Sequence, residues 1–116
     1  MSLSNDQRTE LKQRLLGLQS ELQAGMAQRE AAAAPVELDQ TVQGRLSRVD
    51  ALQGQAMAQA AVRRAQAQLL NIARALDRID ADDFGRCADC DELIAYARLQ
   101  RDPTHQRCVA CAQARE

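Results

Sequence analysis

The stretch 87–111 has the sequence CADCDELIAYARLQRDPTHQRCVAC. It holds all four cysteines of the 116-residue chain, arranged as two Cys-x-x-Cys pairs with 17 residues between them. Two residues between paired cysteines allow one tight turn to present both sulfur atoms to the same metal ion, and the overall spacing is typical of structural zinc sites. We therefore predict one zinc ion with four thiolate ligands: Cys87, Cys90, Cys108 and Cys111.

Two other interpretations of these cysteines are weaker. A pair of disulfide bonds would need an oxidising compartment, and the sequence lacks the apolar N-terminal stretch of a secretory signal. A redox pair of the thioredoxin type would normally follow a β-strand, and no strand pattern precedes Cys87. Since four thiolates complete a tetrahedral shell, no position is left for an activated water, and we expect the zinc to be structural.

The composition favours long helices over a wide globular core. Aromatic residues make up 2% of the chain, with Phe84 and Tyr96 the only rings. The formal net charge is −1 and Lys12 is the only lysine, which argues against a protein that binds nucleic acid by neutralising many phosphates. No apolar run approaches the roughly 20 residues of a membrane span, so we expect a soluble, cytoplasmic protein. No catalytic triad or phosphate-binding loop is evident, and we do not expect an enzyme.

A first helix is predicted over about residues 5–33. Ser4 and Gln7 have the spacing of a capping box, in which each side chain bonds to the backbone N–H of the other residue. Apolar residues then recur at alternating four- and three-residue steps, as in a coiled-coil seam: Leu11, Leu15, Leu18 and Leu22. Pro35 disfavours helical geometry at the residue before it, so this helix should end within the stretch 31–34.

A second helix is predicted over about residues 48–82, after a tip at about residues 35–50 where the periodicity fails. Ser47 and Asp50 have the spacing of another capping box, with Ser47 as the N-cap. The apolar stripe falters at Gln59 and is weaker towards the tip than towards the cysteines. Its members are Val49, Leu52, Ala56, Val62, Ala65, Leu69, Ile72, Leu76 and Ile79. Acidic residues near position 82 oppose the helix dipole, so the helix should stop there.

Neither helix can bury its stripe alone, and a connection of about a dozen residues permits an antiparallel partner. We therefore predict a mainly α fold: a long antiparallel helical hairpin, or coiled coil, over residues 1–82. A small four-cysteine zinc knob with a short C-terminal helix should occupy residues 83–116. By the helical rise of about 1.5 Å per residue, the tip should lie some tens of ångströms from the metal.

Further residues around the two cysteine pairs form a specific pattern. They are DFGRCADC at 83–90, Ile94, Arg98-Leu99, Pro103 and CVAC at 108–111, preceded by ALDRID at 75–80. This pattern resembles the DksA/TraR C4 zinc-finger family, closely over about residues 46–112 and only in character over the first helix. The resemblance implies a short member with a two-helix arm.

The resemblance also implies a function. Members of this bacterial family bind RNA polymerase directly, without contacting DNA, and place their coiled-coil arm in the secondary channel of the enzyme. The tip alters the stability of open complexes and hence initiation. We therefore expect a transcription regulator that is not a sequence-specific DNA reader and that acts as a monomer.

The acidic tip pattern of long family members, Asp-x-x-Asp-x-Ala, is displaced in this chain. A gapless count from the cysteines finds no acid at those positions, whereas a shift of three residues places the second acid on Asp50, followed directly by Ala51. We expect Asp50 to be the functional carboxylate, with Asp39 as an additional acid in the turn. An Asp near a helix start also stabilises the helix, and both roles can coexist. Arg98 matches a basic position of the family and could contact polymerase; a surface arginine packing its stem on its neighbours explains it equally well.

Some family members respond to guanosine tetraphosphate, which they bind through basic residues on the late helix and in the finger. The corresponding positions here are Asn71, Asp102 and Ala112. None is basic and an aspartate would repel a phosphate, so the response of this protein to that nucleotide should be weak or absent.

Three alternatives remain open from the residues. A Gre-like factor that assists transcript cleavage would use paired tip acids, and only one acid here is well placed at the helix start. A zinc-stabilised coiled-coil adaptor would pair its apolar stripes between chains and dimerise. Nucleic-acid binding by the finger would show an affinity that falls steeply with salt.

Overall fold

The computed structural model describes residues 3–35 and 45–116, with the helical backbone alone for residues 45–47. Four helices cover most of this part of the chain: α1 (Asn5–Ala33), α2 (Arg45–Arg78), α3 (Tyr96–Arg101) and α4 (Val109–Ala114). The same residues contain no β-strand, and Arg86 and Leu93 form only an isolated antiparallel bridge. The predicted mainly α fold class, including a short C-terminal helix, is confirmed.

The start of α1 has the predicted capping box. The backbone N–H of Ser4 donates to Gln7 Oε1 over 2.9 Å, and the backbone N–H of Gln7 donates to Ser4 Oγ over 3.1 Å. Two backbone donors that have no partner within the helix are thereby satisfied.

The bounds of α2 differ from the prediction at both ends. The helix begins at Arg45, so Ser47 and Asp50 lie inside it rather than at its N-cap and third position. Arginine and leucine at positions 45 and 46 are good helix formers, which lets the helix begin before the serine. At the other end, α2 stops at Arg78 and the chain continues in tight turns through the acidic stretch.

The chain divides into two compact units, and the first combines Met1–Gln19 with Leu70–Glu116. Within it, one guanidinium nitrogen of Arg8 donates to the carbonyl oxygens of Ile79 and Ala81, both over 2.7 Å. Because a residue near the start of α1 reaches the carbonyls just past the end of α2, the two helices run antiparallel here. The buried apolar side chains here are Leu11 and Leu15 on α1, Ile72 and Ala75 on α2, and Ile79 just past the end of α2.

The apolar stripe of α2 is thus confirmed at Ile72 and Ile79, but Ala75 is fully buried between them and the predicted member Leu76 is only half-buried. Since Ala75 is fully buried and Leu76 is not, the alanine lies closer to the centre of the seam than the leucine. The seam therefore has narrower side chains than the sequence pattern indicated.

Residues after α2 complete the first unit with a small core of their own, formed by Phe84, Cys87, Ile94, Leu99 and Pro103. Gly85 leads into this segment with a φ of 92°. A Cβ atom at Gly85 would also lie 3.1 Å from Leu3 Cδ1, so both the backbone and the neighbouring side chain require glycine.

The second unit, Ser20–Leu69, consists of the remaining parts of α1 and α2 with the residues between them. Ala65 is its buried apolar residue among those described. Val49 and Leu52, the first two members of the predicted stripe, are 42% and 52% exposed, in keeping with a seam that is weak at this end of α2. None of the described helices combines the length and the apolar character needed to cross a bilayer.

Candidate metal centre

The four cysteines meet in the first unit, where their sulfur atoms all lie within 4.8 Å of one another. A tetrahedral zinc ion with Zn–S bonds of about 2.3 Å requires neighbouring sulfurs about 3.8 Å apart. The sulfur atoms of Cys90 and Cys108, one from each pair, are 3.8 Å apart. The side chains of Cys87, Cys90, Cys108 and Cys111 are therefore positioned to bind one metal ion.

The first cysteine pair sits in a tight turn. The backbone N–H of Asp91 donates to Cys87 O over 2.9 Å, and the N–H of Cys87 donates to Glu92 O over 2.7 Å. Asp91 has a φ of 61°, the left-handed conformation that reverses the chain after the second cysteine. The backbone N–H of Asp89 points at Cys87 Sγ over 3.4 Å, a contact that favours the thiolate form.

The second pair is presented by the start of a helix. Cys108 is the N-cap of α4, and its sulfur accepts from the backbone N–H of Cys111 over 3.5 Å. The N–H of Ala88 donates to Gln106 O over 2.8 Å, which ties the two turns together. The N-cap of a helix is usually Ser or Asp, whose side-chain oxygen accepts a hydrogen bond from a backbone N–H. Here the sulfur of Cys108 is that acceptor.

The thiols have unequal acidity. Burial by itself would raise the pKa of Cys87, but the backbone N–H donors of Cys108, Cys90 and Asp89 outweigh it and lower that pKa to about 6. The neighbouring sulfurs of Cys108, Cys87 and Cys90 raise the pKa of Cys111, because it shares the site with them. Because cysteines bind zinc as thiolates, binding of the metal displaces protons from the cluster.

Four sulfur ligands complete a tetrahedral shell, which is the arrangement of structural zinc sites. No other group of three or more His, Cys, Asp or Glu side chains with metal-site geometry occurs in the part of the chain described here. The chemistry that these residues supply is therefore the cross-linking of two turns through one metal ion, which stabilises a segment too small to fold by burial alone.

The carboxylate of Asp89, inside the first cysteine pair, is bound by two arginines, and the sequence pattern did not predict these contacts. Arg107 Nε donates to Asp89 Oδ2 over 3.0 Å, and Arg115 donates to both carboxylate oxygens over 2.9 and 3.0 Å. The hydrogen bond from Arg115 is the main cause that lowers the pKa of Asp89. The only signal in the sequence was an acid inside a cysteine pair, and its partners lie 18 and 26 residues away.

A second group of contacts fastens α1 to the finger within the first unit. The Tyr96 hydroxyl donates to Glu10 Oε2 over 2.6 Å, and the Gln100 amide donates to Glu10 Oε1 over 3.3 Å. Arg14 donates to the carbonyl oxygen of Arg101, the last residue of α3, over 3.3 Å. These contacts fix α3 against the first helix.

Two of the three residues predicted for the tip, Asp50 and Ala51, lie on α2 in the second unit. Asp50 is exposed on α2, and no described residue forms a hydrogen bond or ion pair with its side chain. Ala51 beside it is half-buried. Asp39 lies outside the described residues, and its predicted role stays a prediction.

The predicted polymerase contact Arg98 is half-buried, and its Nε donates to Arg107 O over 3.0 Å, next to the second cysteine pair. Asp102, one of the positions compared with nucleotide-binding residues, accepts hydrogen bonds from the backbone N–H and the hydroxyl of Thr104. Both side chains thus have structural roles within the finger.

Residues 82–116 have recognisable relatives. They match the family model of the prokaryotic DksA/TraR C4-type zinc finger. A segment of 36 residues, 31% of this chain, is 44% identical to the RNA polymerase-binding transcription factor DksA of Haemophilus influenzae, and it spans 25% of the length of that protein. The predicted family resemblance and the zinc cofactor are confirmed for this segment.

The fold has a solved counterpart. The structure of transcription factor DksA2 from Pseudomonas aeruginosa matches with a TM-score of 0.77 over 97% of this chain and 84% of that one, at 21% sequence identity. At that identity the match establishes the shared fold.

Proposed function

Because residues 82–116 form a zinc finger of the prokaryotic DksA/TraR family, we propose that this protein is a DksA-like regulator that binds RNA polymerase and modulates the initiation of transcription. The observation that carries the proposal is the match of this finger, joined to a fold that agrees over 97% of the chain with that of a transcription factor. The zinc stabilises the finger, and the chemistry of transcription remains that of the polymerase. The protein itself is not an enzyme.

The electrostatics of the finger support a protein partner rather than DNA. From Asp83 onward the sequence has six acidic residues and five arginines. Four of these arginines donate hydrogen bonds within the finger: Arg86, Arg98, Arg107 and Arg115. Few guanidinium groups are left to neutralise phosphates, on which DNA affinity chiefly depends.

The proposed mechanism relies on the exposed carboxylate of Asp50, with Ala51 beside it and Asp39 as a further acid. In this proposal α2 enters the secondary channel of the polymerase and brings the Asp50 carboxylate near the catalytic magnesium and the mobile elements around it. A negative charge there changes the lifetime of initiation complexes. Its side chain is exposed and has no hydrogen bond or ion pair with the described residues, so no such contact among them has to break for it to take that role.

The protein is proposed to act as a cytoplasmic monomer with a weak or absent response to guanosine tetraphosphate. Asp102 supports the latter, since its carboxylate already accepts two hydrogen bonds from Thr104 and would repel a phosphate group. Arg98 is available to polymerase only in part, because its Nε bonds to Arg107 O.

A pull-down with purified RNA polymerase core enzyme tests the proposal. We expect zinc-loaded protein to retain the core enzyme, and to do so equally with and without competitor DNA. Failure to bind the core enzyme would contradict the proposal.

Sedimentation of the free protein provides the second arm, because a concentration-dependent dimer would favour a coiled-coil adaptor. Enhanced cleavage of RNA in backtracked complexes would favour a Gre-like factor.

A further inference from the structure

The carboxylate of Asp89 links three segments that each carry a zinc ligand. Asp89 lies inside the first cysteine pair, Arg107 immediately precedes the second pair, and Arg115 is the C-cap of α4, which carries the last cysteine. One side chain therefore connects both turns and the helix that follows them, through three hydrogen bonds of 2.9–3.0 Å. Its own backbone N–H also contacts Cys87 Sγ over 3.4 Å.

We propose that Asp89 is a positioning residue of the zinc site, which holds the guanidinium groups of Arg107 and Arg115 beside the four thiolates and thereby slows release of the metal. A zinc ion with four thiolate ligands has a net charge of −2, because two of the four negative charges stay uncompensated. The two guanidinium groups together with the Asp89 carboxylate carry a net charge of +1, which offsets part of this charge, and arginines stay protonated throughout the pH range of protein stability.

The geometry is suited to this role. Arg115 binds both oxygens of the carboxylate, the two-point arrangement that fixes the orientation of a guanidinium plane as well as its distance. Arg107 shares one of the same oxygens and is anchored to the second cysteine pair by the peptide chain itself. Loss of the Asp89 charge would free both arginines and let the two turns separate.

The network should influence the metal site more than global stability. The side chains of Asp89, Arg107 and Arg115 are 27%, 35% and 59% exposed, and ion pairs at such exposure contribute little to the free energy of unfolding. Outer groups that orient metal ligands typically change metal affinity by 10- to 100-fold. Since Asp89 acts through its arginines and not on a ligand side chain, we expect an effect of about tenfold.

The test compares release of zinc from the full chain to an excess of a chromogenic chelator. Asp89→Asn should release zinc about tenfold faster than the wild type, and Asp89→Glu should restore most of the retention because it keeps the charge. Asp82→Asn is the matched control: it removes the same charge from an exposed side chain for which the described residues offer no hydrogen bond or ion pair. Its release rate should equal that of the wild type.

Two further measurements separate an electrostatic role from a packing role. The difference between wild type and Asp89→Asn should shrink at about 1 M salt, which screens charges a few ångströms apart. The cobalt(II) form of Asp89→Asn should keep the intense absorption of a tetrahedral tetrathiolate site. If Asp89→Asn does not form that spectrum, the release assay uses Arg115→Gln instead, because this change leaves both cysteine pairs intact. Wild-type release rates, or a difference that persists unchanged in high salt, would overturn the proposal.

Discussion

The hydroxyl of Tyr96 donates a 2.6 Å hydrogen bond to Glu10 Oε2, which joins α3 of the finger to α1 across 86 positions of sequence. This bond lowers the pKa of Glu10 below its ordinary value of 4.5 and raises the pKa of Tyr96 above its ordinary value of 10.0. The donor must stay protonated and the acceptor ionised, so the two shifts define the pH range over which the contact stabilises the fold.

We expect Tyr96→Phe to lower Tm by about 2–5 °C at neutral pH, because the finger loses this contact with α1. The Glu10 contribution is present above pH 4.5 and is lost as the pH falls through the lowered pKa of the folded state. The Tyr96 contribution is present below pH 10.0 and is lost as the pH rises through the raised pKa. The difference in Tm between wild type and variant should therefore shrink above pH 10.

A double-mutant cycle provides the control for this contact. In a Glu10→Ala background, Tyr96→Phe should have almost no further effect on Tm, because its acceptor is already gone. An undiminished effect in that background would show that the hydroxyl stabilises the fold in some other way.

Two substitutions of glycine by alanine should change the free energy of unfolding in opposite directions. Gly85→Ala should destabilise the fold by about 1–3 kcal/mol, because a φ of 92° strains an L-residue and the new Cβ meets Leu3 at 3.1 Å. Gly17→Ala should stabilise it by about 0.5–1 kcal/mol, since Gly17 lies within α1 and a Cβ there would meet nothing within 4 Å. Urea unfolding of both variants measures the two values. If Gly85→Ala left the free energy of unfolding unchanged, the turn would have relaxed and the predicted strain would be wrong.

Removal of the metal should unfold the finger and leave most of the helical signal. We expect an excess of chelator to lower Tm by at least about 10 °C, because structural zinc sites contribute binding energy directly to folding. Far-UV circular dichroism should change modestly, since α1 and α2 have 29 and 34 residues while α3 and α4 have six each.

Tyrosine fluorescence reports this transition directly. Tyr96 is the only tyrosine and the chain has no tryptophan, so the signal comes from α3 alone. Added zinc should restore the spectrum and added magnesium should not, because thiolates select the softer metal. An unchanged tyrosine signal after complete metal removal would contradict a structural role for the zinc.

The Asp50 carboxylate carries the proposed effect on initiation. Asp50→Ala should abolish the effect of the protein on open-complex lifetime, while its dissociation constant for polymerase changes by less than about fivefold, or ~1 kcal/mol. Asp77→Ala removes an exposed carboxylate from the same helix and serves as the matched control. Equal activity of Asp50→Ala and wild type in a reconstituted initiation assay would exclude Asp50 as the functional acid.

The local features of this protein could be predicted from the sequence. The zinc ligands follow from cysteine spacing, and the capping box at Ser4 and Gln7 follows from a three-residue pattern that acts within one turn. The start of α2 was misplaced because Ser47 is an equally good helix start by its own pattern, and the helix formers before it prevailed.

Contacts between distant segments could not be predicted. The partners of Asp89 lie 18 and 26 residues away, and Tyr96 meets a residue 86 positions before it. No periodicity or spacing encodes these pairs, because the Asp89 pairs depend on how the finger folds around its metal site and the Tyr96 pair depends on how α3 packs against α1. The seam shows the same limit on a smaller scale, where Ala75 rather than Leu76 is fully buried.

The composition of the first unit has a consequence for biosynthesis. It unites residues up to Gln19 with Leu70–Glu116, so the α1 part of this unit cannot complete its packing before Leu70–Glu116 has been synthesised. Contacts of such long sequence separation form slowly, and the buried leucines of α1 stay uncovered until then. We therefore expect the first unit to fold more slowly than either of its helices would alone.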